Sequence, residues 1–85
     1  MAAAVATLLD VTLSLLDAVA EEDESRMQVF ASHLRRLGWM HALPGLASAA
    51  GALVMSLDEG ATFDGEVALA VQAVAYEMQT VVREH

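Results

Sequence analysis

The side chains best suited to proton transfer or metal ligation near neutral pH are His33, His41 and His85, and their spacing limits the chemistry they can share. No Glu-x-x-His or His-x-x-x-His pair surrounds any of them, so neither a di-iron bundle nor a helical zinc site has its ligands. His41 reads as a hydrogen-bonded tether or an isolated functional group. Cysteine is absent, which removes a thiol nucleophile, a thiolate metal site and any disulfide. Ser14, Ser25, Ser32, Ser48 and Ser56 stand at no recognised catalytic spacing from a histidine, and no glycine-rich phosphate loop is present. The expectation is a protein without catalytic, cofactor-binding or metal-binding residues.

Two local motifs invite a more specific reading, and both fail on their residues. Asp58 to Glu66 contains the Asp-Gly pair of a calcium loop. Setting Asp64-Gly65 at loop positions five and six places Gly60 at position one and Val71 at position twelve, where carboxylates are required. A solvated turn with helix caps explains these residues. Ser56-Leu57-Asp58 invites comparison with the Asp-Ser-Leu of acyl carrier proteins, which are small, acidic and four-helical. Here Met55 precedes the serine, and the serine falls at the expected end of a helix instead of its start.

Binding chemistry is more promising. The chain carries twelve Asp and Glu against four Arg, for a net charge of -8, which argues against nucleic-acid backbones and anionic lipid as partners. Asp10, Asp17 and Glu21 form an acidic stripe that continues into Glu22, Asp23 and Glu24. Such a run is ordinarily a solvated face, but it also suits a basic partner by speeding encounter. Trp39, Met40 and His41 are the candidates for an exposed anchor, since tryptophan and methionine favour interfaces. The more common role for Trp39 is to cover the end of a bundle.

Four segments must position these groups, and each reads as a helix, over about 2–22, 25–37, 44–57 and 64–83. In the first, Thr7, Asp10, Ser14, Asp17 and Glu21 recur at three and four, a narrow polar stripe. Its remaining Val and Leu residues cover too wide an arc for one neighbour, so packing on two sides is expected. Its start lacks the positive region of a signal peptide, and Asp10 and Asp17 interrupt its apolar run. Ser25 with Gln28 has the spacing of a capping box for the second helix, whose buried face is Met27, Phe30, Ala31, Leu34 and Leu37. Gly38 reads as a left-handed stop and Pro44 as the first residue of the third helix. Thr62 or Asp64 caps the fourth, in which Val67, Val71, Val74, Met78 and Val81 repeat at four and three.

Leu37 to Leu57 is long enough to cross a bilayer, at ~20 residues. Six Leu and Val residues there oppose Pro44, His41, two serines and three glycines, so insertion is not favoured. The small residues Gly45, Ala47, Ala49 and Gly51 instead form a strip on which another helix backbone can approach closely.

Eighty-five residues make one domain with a thin core. The reading is an all-α, small four-helix antiparallel bundle, cytoplasmic and associating as a dimer. It is expected to act without catalysis, as an interaction module or accessory subunit that meets itself or another protein with a basic, apolar surface. The alternatives are a carrier of a small hydrophobic ligand in the bundle interior and a peripheral membrane protein.

Overall fold

The structure, a computed structural model, describes residues 2–60 and 63–84. The described residues form helices α1 (Ala2–Ala20), α2 (Glu24–Met40), α3 (Pro44–Asp58) and α4 (Ala68–Glu84), with a kinked turn, Phe63–Val67, leading into α4. No strand occurs among them. Helices of 15 to 19 residues are roughly 22–29 Å long. They fit along the 35 Å axis of a body only 21 × 18 Å across.

Connections of three residues join α1 to α2 and α2 to α3, so each pair folds back as a helical hairpin. Both reversals use the same device. At the end of α1, the Asp23 N–H donates to Ala18 C=O (2.9 Å) and the Glu22 N–H to Val19 C=O (3.0 Å), with Glu22 left-handed at φ 53°. At the end of α2, the Leu43 N–H donates to Gly38 C=O (2.7 Å) and the Ala42 N–H to Trp39 C=O (3.3 Å), with Ala42 at φ 56°. These are Schellman closures, which satisfy the last carbonyls of a helix.

The helix boundaries correct three sequence expectations. Asp23, not Ser25, caps α2: its side chain accepts from the Arg26 N–H at 3.2 Å. Gly38 is a buried helical residue inside α2, and the helix continues to Met40. A Cβ on Gly38 would stand 2.8 Å from the Ala47 backbone nitrogen, so the glycine permits close contact between α2 and α3. The fourth helix proper starts at Ala68, because Gly65 (φ -111°, ψ -107°) departs from helical geometry. Thr62, one of its expected caps, lies outside the described residues, as does the side chain of Asp64.

Along the α2/α3 hairpin, Gly38 faces Ala47, Arg35 lies over Gly51, and Gln28 donates to the Asp58 carboxylate. Numbers fall on one helix as they rise on the other, which is antiparallel packing. The core gathers Leu8 and Leu15 from α1, Met27 and Leu34 from α2, Leu46 and Leu53 from α3, and Val74 and Met78 from α4. Each such Leu contributes ~1.5–3 kcal/mol by leaving water. Thr12 is the buried polar residue among them, and its hydroxyl donates to Leu8 C=O at 2.7 Å, which removes the cost of an unpaired group. Each helix packs on its neighbours in sequence, and α4 closes the ring against α1.

Candidate functional site

The closure between α4 and α1 is incomplete, and there the surface becomes concave. Leu8, Val11, Leu15 and Ala18 point into the core at helical spacing, which leaves Leu9, Leu13 and Leu16 on the next face of α1. Leu9 and Leu16 are partly exposed, and Leu13 is 60% exposed. Opposite them on α4, Ala75 and Val82 are seven residues apart and thus on one face; Val82 is 44% exposed. These side chains line a groove of about 470 Å³ with Thr12 and Met78 beneath and Arg83 at one end. The packing of α1 on two sides that its sequence suggests is therefore only partial.

The acidic residues lie beside this groove. Leu13 has Asp10 three residues before it and Asp17 four after it, so both carboxylates neighbour the most exposed leucine of α1. Both aspartates are exposed. Past the end of α1, Glu21 pairs with the Arg26 guanidinium, which also stands 5.9 Å from the Phe30 ring centroid. Asp23 is engaged as a cap, while Glu22 and Glu24 are exposed at that end of the bundle.

Trp39 and Met40 are 63% and 68% exposed at the far end of α2, followed by exposed His41. Trp39 is therefore not tucked over the bundle end. These three sit together, apart in sequence from the acidic loop of residues 21–24. The small-residue strip divides between two helices of the same chain: Ala47 and Gly51 face α2, and Gly45 lies under the Glu77 carboxylate of α4. Ala49 is buried.

A second hollow, about 450 Å³, lies on the outer face of α2 along Gln28, Val29, Ser32, His33 and Arg36. All of these come from one helix, so no second element converges on it. Among the described residues, no three His, Asp or Glu side chains are grouped to hold a metal ion, and no helix is long and apolar enough to cross a membrane.

Sequence reasoning passed over Leu9, Leu13, Leu16 and Val82 as site residues. For the three leucines the signal is the wide apolar arc of the first helix; Val82 on α4 carries no comparable signal. Compared with known proteins, the chain matches no family model, no curated protein and no solved structure.

Proposed function

We propose that this protein is a non-enzymatic interaction module or accessory subunit, and that it binds protein through the groove between α1 and α4. The observation that carries this reading is the three-leucine stripe of α1, left open to solvent beside Asp10 and Asp17. Contiguous exposed apolar patches beside polar rims often mark interaction sites, and helices commonly dock into apolar grooves. A contact of this kind has a central apolar anchor, supplied by Leu13, and a charged rim that guides encounter.

Pairing with a second copy is the rival use of the same face. A small hydrophobic ligand is the second reading, favoured by the groove's concavity and mostly aliphatic lining. Peripheral membrane association finds less support, because the flank of the groove is acidic.

Paired affinity capture from the native host tests the proposal, with the wild-type chain and Leu13→Arg as baits. The expected result is a protein retained by the wild type and lost with the variant. Native mass spectrometry accompanies it. A copurified small molecule with no Leu13-dependent protein would replace the interaction reading with the carrier reading.

A further inference from the structure

The geometry points to the occupant of the α1/α4 groove as a basic amphipathic helix from another protein, lying antiparallel to α1. This inference rests on the groove being a protein-docking face. Leu9, Leu13 and Leu16 span two helical turns, as do Ala75 and Val82, so the groove offers two parallel apolar rails. A helix with apolar residues at i, i+3 or i+4, and i+7 places one stripe between them.

Charge then selects the partner. The α1 rim carries Asp10 and Asp17, seven residues apart, and matches Lys or Arg at the same interval on one flank of the incoming helix. The α4 rim offers Gln79 and the cation Arg83. A second copy is the poorer occupant: each copy has a net charge of -8, and Arg83 is, among the described residues, the one cation lining the groove to set against the Asp10 and Asp17 carboxylates of its mate.

Charge also sets the direction. Successive hairpins leave α1 and α4 antiparallel, so Leu9, Val82 and Arg83 share one end of the groove, and Leu16 and Ala75 share the other. The second end adjoins the acidic loop with Glu22 and Glu24. A docked helix presents a partial positive charge at its N-terminus and a partial negative charge at its C-terminus. Its N-terminus therefore belongs at the acidic loop and its C-terminus at Arg83.

The test uses the full chain, isotope-labelled for NMR, and two synthetic helical peptides of about four turns with the same leucine stripe. One peptide carries Lys along one flank; the other carries Gln there. At low salt the Lys peptide is expected to bind about five-fold tighter, the size given by two rim ion pairs, and high salt should erase the difference. Asp10→Asn with Asp17→Asn should equalise the peptides, and Leu13→Gln should weaken both. A nitroxide on the peptide C-terminus should broaden Leu9 and Val82, and one on the N-terminus should broaden Leu16 and Ala75. Equal affinities or the reverse broadening would overturn the inference while leaving the groove as a docking face. Binding of neither peptide, or a Leu13-dependent dimer of the chain in light scattering, would overturn the occupant proposed; shifts confined to other surfaces would remove the docking face itself.

Discussion

At the residue scale, the turns of this protein depend on side chains that do not advertise them. Glu22 and Ala42 hold left-handed backbone at positions where glycine is the usual choice. Left-handed geometry costs an L-residue roughly 1–2 kcal/mol, while glycine loses roughly 0.5–1 kcal/mol in chain entropy. Ala42→Gly should therefore raise unfolding free energy by about 0.5–1 kcal/mol in a denaturant titration. The sequence offers Gly38 as the stop instead, and nothing local distinguishes a helix-ending glycine from one required by a neighbouring backbone. The distinction is measurable: Gly38→Ala forces a methyl against the Ala47 backbone and should cost about 1–3 kcal/mol. Gly51→Ala meets only the flexible Arg35 side chain, at 3.4 Å from Cδ, and should stabilise by up to about 1 kcal/mol through helix propensity. The caps separate in the same way. Asp23→Ala should lower stability by about 1 kcal/mol, and Ser25→Ala should leave it within about 0.5 kcal/mol.

At the element scale, helix existence was legible because apolar positions recur at three and four in every segment. Met27, Ala31, Leu34 and Leu37 are buried as their spacing requires, and so are Val67, Val74, Met78 and Val81. The start of α4 was less legible, because Val67 keeps the helical repeat while Gly65 breaks the backbone path. Helix α1 was ambiguous for a different reason. A wide apolar arc specifies that much surface should be covered, but it does not specify whether its own chain covers it. Leu9, Leu13 and Leu16 are where that difference lies. Accordingly, Leu53→Ala should cost about 2–5 kcal/mol, since Leu53 is fully buried. Leu13→Gln, at an exposed helical site, should change stability by about 0.5 kcal/mol or less. Thermal and denaturant unfolding of the two variants check both values; equal losses would mean that α1 is packed on its outer face after all.

At the scale of the whole molecule, one incomplete contact organises the surface. Four helices enclose a core whose leucines are almost fully buried, yet the α1/α4 seam remains an apolar groove beside an acidic flank. The sequence places the acidic stripe and the wide apolar arc on the first helix, without showing which of its leucines stay uncovered. Asp10 and Asp17 flank Leu13 on α1 alone, but the groove itself forms only when α4 brings Ala75 and Val82 opposite. The exposed Trp39, Met40 and His41 offer the competing location for a contact. Hydrogen–deuterium exchange on the chain with and without its captured partner decides between them most directly. The groove account predicts slowed exchange over residues 9–16 and 75–83, with residues 36–41 unchanged. Slowed exchange at residues 36–41, with both groove segments unaffected, would contradict it.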